Sequence, residues 1–289
     1  MADLSRPHSL AGVATGAGQP VRIMGVLNVS PESFYAGSVR SGAENIAAAA
    51  RRMVEEGADF VDIGAMSTAP YLQTGVSSAQ ECQRMERAVA AVRAVVDVPI
   101  SVDTSRAEVA VAAMQVGARI VNDVRGLRGE GMAEAALAAD GVVLMASPEE
   151  SAVGGSPSER VRADLLRVIA RATGAGIAPE SIAIDPGIGF YTGPGDAPPI
   201  DFNCTVLARL SSFRDLGYPL LVGLSRKAFL GAITGRRSAD ERLAGSLAAT
   251  ALAVCQGAAI VRTHDVAETL DAVRVAEEIR NRMSAASSR

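Results

Sequence analysis

The stretch GAAIVRTHDV, residues 257–266, decides the fold. A glycine closes an Ala-rich helical run, small residues follow, and an apolar pair leads into Arg262, Thr263 and His264. Read as a strand, the segment aims Arg262 and His264 the same way, because strand side chains alternate with period two. The same order of residues recurs at GADFVDI (57–63) and GARIVNDV (117–124). A glycine just past a helix end is the usual C-cap, and a short loop then enters the next strand.

Working outward, short β-rich runs alternate with helical ones along the chain. Strands are expected at 22–28, 59–64, 99–103, 119–123, 141–145, 181–185, 219–224 and 258–263. Between them lie stretches such as AENIAAAARRMVEEG and SERVRADLLRVIARATGAG, with apolar residues at helical spacing. Eight βα units with nearly continuous apolar strands predict a (β/α)8 TIM barrel. A doubly wound sheet is the competing architecture, but no GxGxxG loop follows the first strand. Residues 1–20, small, polar and Gly/Pro-rich, read as a flexible N-terminal arm that carries an inert His8, and 21–289 as one barrel domain.

Composition narrows the function classes. The 289 residues are 48% hydrophobic, enough for a large core, and the net charge of -4 argues against nucleic acid as a partner. No apolar run approaches the roughly 20 residues of a membrane span, and no signal peptide is visible. The three cysteines, Cys82, Cys204 and Cys255, are scattered without a CxxC pair, so a structural zinc site is not expected. These features read as a soluble, cytoplasmic, enzyme-like domain.

Barrel active sites form at the C-terminal ends of the strands. Those ends carry Asn28, Asp62, Asp103, Asn122 with Asp123, Met145, Asp185, Ser225-Arg226-Lys227, and Arg262 with His264. Each has a plainer reading, an aspartate before a helix being a common N-cap. Together they form a ring of polar groups that is costly to bury without a partner. Asp103, Asn122 and Asp185 suit an amino-substituted nitrogen heterocycle, since a carboxylate accepts two parallel N–H donors and an amide offers both a donor and an acceptor. Lys227 suits a ring carbonyl, and Arg262 with His264 an anionic end. The ring of side chains thus points to a heteroaromatic ligand bearing phosphate.

The motifs IMGVLNVSPESF (23–34), GADFVDIGAMST (57–68), ISVDTSRAEVA (100–110), IVNDVRG (120–126), IDPGIGF (184–190), LVGLSRKAFLG (221–231) and IVRTHDV (260–266) occur in order, each at a strand end. In these the chain resembles the dihydropteroate synthase family of pterin-binding barrels. The resemblance implies condensation of 6-hydroxymethyl-7,8-dihydropterin pyrophosphate with p-aminobenzoate, releasing pyrophosphate, in folate biosynthesis. It implies a pterin site at Asp103, Asn122, Asp185 and Lys227, with Met145 against the ring. It implies a pyrophosphate and Mg2+ end at Asn28, Arg262 and His264, with Asn28 as the metal ligand. Thr68, Pro70, Phe190 and Ser225 fall on the arylamine side. Asn28, Lys227, Arg262 and His264 are the catalytic candidates, and a homodimer is implied.

The chain also departs from the family pattern. Ala36 and Ala69 stand in the first and second loops where the family usually has Asp and Arg, and Ala228 follows SRK where it usually has Ser. LMAS (144–147) replaces LMHM. Arg40, Arg125 and Arg128 are candidate substitutes, with a solvated surface as their plainer reading. Three alternatives stay open: a synthase using another arylamine, of the methanopterin type, a pterin-binding protein without catalysis, and a methyltetrahydrofolate-binding methyltransferase with a corrinoid partner. Retention of Arg262 and His264 argues against the last.

Overall fold

The computed structural model describes residues 7–29, 42–65, 76–147, 154–191 and 199–287. After a short hairpin, β1 (His8–Leu10) and β2 (Val13–Thr15), eight parallel strands follow: β3 (Arg22–Asn28), β4 (Phe60–Gly64), β5 (Ile100–Asp103), β6 (Ile120–Asp123), β7 (Gly141–Met145), β8 (Ile182–Asp185), β9 (Leu221–Gly223) and β10 (Ile260–Thr263). Each pairs with its neighbours in sequence, β10 pairs with β3, and a parallel bridge between Ile184 and Leu220 brings β8 to β9. The predicted TIM barrel is therefore the observed fold. β3 and β7 start where expected, and the other six strands start one or two residues later, because the first residues of those runs are the αβ loop.

The helices α1 (Ala43–Glu55), α2 (Ser78–Arg93), α3 (Ala107–Gln115), α4 (Met132–Ala136), α5 (Pro157–Gly174), α6 (Ile200–Ala208), α7 (Ala228–Thr234), α8 (Leu243–Cys255) and α9 (Val266–Ser287) surround the strands. Gly57, Gly117 and Gly257, which set the sequence reading, have φ of +104°, +117° and +100°. Each ends a helix where an L side chain would be strained. Capping boxes at Ser77/Gln80 and Ser156/Glu159 start α2 and α5. Beyond α6 the chain tightens into a 3-10 segment at Leu210–Leu216. No helix of the described residues is long and apolar enough to cross a membrane.

Alternation sorts the strand residues into two cores. Ile23, Val61, Val121, Val142, Ile184, Val222 and Val261 pack outward against the helices. Met24, Phe60, Ile120, Val143, Ala183, Leu221 and Ile260 point into the barrel and form its lowest layer. Leu10 and Ala11 belong to that inner cluster, 1% and 2% exposed. This corrects the expected flexible arm: the hairpin at 8–15 stops the base of the barrel. Gly141 makes the room, since a Cβ there would lie 2.6 Å from Leu10 Cδ1. Ala11 N donates to the Asp140 carbonyl at 3.3 Å. His8 lies at this end too, its ring 5.8 Å from that of Tyr218.

Candidate active site

Two residues further along the same strands, the inward positions change character. By alternation they are Val26, Asp62, Asp103, Asn122, Met145, Asp185, Gly223 and Arg262. Register places Asp103 beside Asn122, Met145 beside Asp185, and Arg262 beside Gly223. Asp103 caps nothing: α3 has Arg106 at its N-cap position, so the plainer reading of this aspartate fails. Asp123, one residue out of phase, faces the loop instead. Its carboxylate accepts from the backbone N–H groups of Arg125 and Leu127, each at 2.8 Å, and from the Ser105 hydroxyl. Arg125 is exposed, and Arg128 donates to the Arg125 carbonyl at 3.2 Å.

Arg262 reaches into the carboxylate layer. Its Nε donates to Asp62 Oδ2 at 2.6 Å and its Nη2 to Asp103 Oδ2 at 2.7 Å. Asp62 Oδ2 also accepts from Asn122 Nδ2 at 3.1 Å. Asp62 is 0% exposed and Asp103 5%, and Oδ1 of each is buried without a hydrogen-bond partner. Burial opposes the charge of Arg262, but Asp62 and Asp103 push its pKa up, and it stays a cation. One guanidinium serves two carboxylates. Burial therefore lifts the Asp103 pKa to about 7, against Arg262 and with the charge of Asp62 adding to the rise.

Lys227 and Asp185 form the opposite wall. Burial lowers the Lys227 pKa to about 8, with Asp185 opposing. Burial raises that of Asp185, opposed by the Gly187 N–H, which donates to Oδ1 at 2.8 Å, and by Lys227. The Lys227 ammonium stands 4.1 Å from the centre of the Phe190 ring. Gly189, at φ +90°, permits this approach: a Cβ there would lie 2.7 Å from Lys227 Cδ. The loop after β8 is pinned by Gly189 N, which donates to Asn203 Oδ1 at 2.6 Å, and by the buried Tyr191 hydroxyl, which donates to Asp164 at 2.7 Å. Phe190 is thus under the lysine, beside the wall formed by Lys227 and Asp185. Met145, 2% exposed, lies against the Gly187 turn.

The rim is neutral. His264 Nδ1 lies 3.0 Å from Ser225 Oγ, and Nε2 lies 3.4 Å from Asn28 Nδ2. Desolvation, with Arg262 and Arg226 adding, drops its pKa to about 3, so the imidazole carries no charge near neutrality. Asn28 donating to Nε2 leaves the Nδ1 proton for Ser225, an assignment made from the network. Ser225 and Lys227 flank Arg226, a non-glycine residue at φ +61°. Arg226 is held there by its side chain on Asp265, with Nε 3.0 Å from Oδ2, and by its N–H on Ser246 Oγ at 2.8 Å.

The structure thus brings together Asp103, Asn122, Met145, Asp185, Phe190, Ser225, Lys227, Arg262, His264 and Asn28 at one barrel mouth. Thr68 and Pro70 lie outside the described residues, as do Ala36, Arg40 and Ala69. Ala228 is the first residue of α7. Sequence reasoning named Asp62 at a strand end but gave it no role; an aspartate inside an apolar strand, in phase with Phe60, was the signal.

Comparison with known proteins gives a consistent result. The pterin binding enzyme family matches residues 24–264. The chain is similar to the dihydropteroate synthase of Escherichia coli K12, 37% identical over 282 residues, covering 95% of this chain and 92% of the relative. It is 36% identical over 270 residues to that of Synechocystis, covering 91% of each. Among solved structures, the Xanthomonas albilineans dihydropteroate synthase with 4-aminobenzoic acid superimposes with a TM-score of 0.84 at 37% identity, covering 95% of this chain and 98% of the other. The Coxiella burnetii enzyme in complex with pteroic acid gives 0.83 at 33% identity, covering 96% and 99%.

Proposed function

This chain belongs to the pterin binding enzyme family, and from that premise we propose how its barrel mouth divides the work. The reaction is that of a dihydropteroate synthase-type transferase: 6-hydroxymethyl-7,8-dihydropterin pyrophosphate and p-aminobenzoate condense and pyrophosphate leaves, a step of folate biosynthesis. The observation that carries the assignment of residues is the set of buried acceptors in the mouth. Asp103 Oδ1, without a partner in the free protein, and Asp185 face the space where a flat ring rich in N–H donors would lie. Bidentate pairing of such donors with carboxylates recovers the cost of burying them. Asn122 supplies a further acceptor, Lys227 a donor to a ring carbonyl, and Met145 an apolar contact.

In the reaction the amine nitrogen bonds to the exocyclic methylene carbon as its bond to the pyrophosphate oxygen breaks. The electron pair leaves with pyrophosphate, and the amine loses its proton to water. No enzyme nucleophile takes part; positioning and stabilisation of the departing charge do the work. His264 and Asn28 stand at the rim to receive the pyrophosphate. Arg262, bonded to the two carboxylates, presents the remainder of its guanidinium between ring and anion. Ser225 orients His264.

Magnesium fits this mouth in one way. Asn28 turns its nitrogen to His264, which leaves its side-chain oxygen for a cation. Among the described residues no group of three or more His, Cys, Asp and Glu is arranged as a metal cage. Mg2+ is often held by one or two protein oxygens, with phosphates and water completing the shell. Asn28 would hold it, and when bound it would neutralise charge on the leaving group.

We also propose a homodimer across α8 and α9. Val275, Ile279 and Met283 form an i, i+4 stripe on α9, 62%, 51% and 61% exposed, and Leu252 on α8, which packs against α9, is 61% exposed. Exposed apolar stripes of this kind mark interaction faces. Light scattering of Ile279→Lys should give the monomer mass.

The test of function is pyrophosphate release. Purified protein, Mg2+ and the dihydropterin pyrophosphate are incubated with and without p-aminobenzoate. Release that depends on p-aminobenzoate and is lost in Arg262→Ala supports the assignment. Release unchanged in Arg262→Ala would overturn the role given to the mouth.

A further inference from the structure

We propose that Asp62 is a positioning residue that sets the polarity of Asn122 and the reach of Arg262, so that the ligand meets an acceptor edge of the amide. The inference rests on the pterin reading of the mouth and deepens it.

An asparagine amide is ambiguous by itself: it can turn either its oxygen or its nitrogen toward a ligand. In this barrel one neighbour removes the ambiguity. Asp62 and Asn122 rise on β4 and β6, on either side of β5, and their side chains meet over Phe60 and Ile120 in the layer below. Asp62 Oδ2 accepts from Asn122 Nδ2 at 3.1 Å, and an ionised carboxylate has no hydrogen to offer to an amide oxygen. One N–H of the Asn122 amide is therefore committed to Asp62, which fixes the sense of the amide and leaves its oxygen as the acceptor for the ligand. The same Oδ2 takes Arg262 Nε at 2.6 Å, which fixes the guanidinium so that Nη2 meets Asp103. One fully buried oxygen thus orders three groups of the mouth.

The arrangement also makes a readout beyond stability. Asp103 feels Arg262 from β10, Asp62 from β4, Asp123 from β6 and Glu81 from α2, with Lys227 also within electrostatic reach. Burial and the negative charge of Asp62 both raise its pKa, to about 7. Removal of the Asp62 charge in an isosteric variant lowers the pH at which Asp103 ionises, whereas a residue that only fills space leaves that pH alone.

The experiment measures affinity for the dihydropterin pyrophosphate by calorimetry from pH 5.5 to 8.5 in wild type, Asp62→Asn, Asn122→Asp and the double swap. Circular dichroism sets the folded fraction of each. Asp62→Asn should weaken binding about tenfold, the worth of one hydrogen bond to a charged group, and move the Asp103 transition to lower pH. Asn122→Asp sets two carboxylates against each other. Relative to wild type it should bind poorly at high pH and recover as pH falls, when one shared proton restores the donor to Asp62. The swap, with an amide at 62 and a carboxylate at 122, should recover most of the Asn122→Asp loss at neutral pH. If Asp62→Asn does not fold, the Asn122→Asp pH profile alone decides, because it needs Asp62 as it stands. Asp62→Asn binding within about twofold of wild type with an unmoved transition would overturn the proposal. An Asn122→Asp deficit equal at every pH would do the same. A wild type that binds no pterin pyrophosphate would overturn the functional reading itself, and this inference with it.

Discussion

At the lower end of the barrel the interior is Met24, Phe60, Ile120, Val143, Ala183, Leu221 and Ile260, stopped by Leu10 and Ala11 of the hairpin. Two residues further along most of the same strands it holds Asp62, Asn122, Met145, Asp185 and Arg262. The lower layer gains from leaving water. The upper layer loses by it, and Asp103, Asp185, Lys227 and His264 have pKa values shifted away from the charged form. A strand gives both for the same backbone cost, so stability and recognition are separated by about 7 Å of strand rise. Substitutions at the two ends should therefore read out in different assays.

The largest effect is expected at the mouth. Asp185→Ala should cut pterin pyrophosphate affinity by about a hundredfold, the worth of two charge-assisted hydrogen bonds, with a small change in melting temperature. Calorimetry and thermal melts on one sample separate the two, and a parallel fall in both would break the contrast between the ends. At the base, Leu10→Ala removes a buried side chain and should cost about 2–5 kcal/mol of stability. Its kcat per folded molecule should match wild type; a lost kcat in folded protein would mean that the plug communicates with the site.

His264→Gln sharpens the comparison. An anion beside the imidazole favours its protonated form and raises its pKa from about 3, so pyrophosphate binding should take up a proton in the acid range above that value. The variant should bind pyrophosphate about tenfold more weakly, the worth of one hydrogen bond to a charged group, lose that uptake, and keep its pterin affinity. Calorimetry in buffers of different ionisation heat reads the proton directly. The same histidine shapes stability. Its folded pKa of about 3 lies below the ordinary imidazole value of 6.5, so between those pH values the unfolded chain binds the extra proton. Wild-type stability relative to the variant should rise with pH across that window, and a flat difference in urea midpoints would count against a desolvated imidazole. The smallest effect is expected at Ala228, the first residue of α7. Ala228→Ser should lower KM for p-aminobenzoate a few-fold, with kcat unchanged.

Much of this is legible in the sequence, for a physical reason. Period-two alternation tells which side chains share the barrel interior, and glycines past helix ends tell where each strand begins. Those two rules place Asp103, Asn122, Asp185, Arg262 and His264 on one inner surface. They do not tell how far a long side chain travels. Arg262 was expected at the anion beside His264, and its guanidinium instead spans to Asp62 and Asp103 on strands β4 and β5. The role of Asp62 was hidden for the same reason, since a buried aspartate is explained only by the arginine that comes to it from residue 262. The hairpin at 8–15 escaped because its small residues carry little alternation, and α7 because seven residues give barely two turns.

The hairpin also has a place in time. It leaves the ribosome before the strands it stops, and its seat is made of Gly141 and the Asp140 carbonyl, which are translated only after β3 to β6. Until then Leu10 lacks the Gly141 face of its seat, and the hairpin waits for a contact of long sequence separation. Such contacts form late and slow folding. The base of this barrel is therefore expected to close last, and a growing chain halted before β7 would keep the hairpin within reach of a protease.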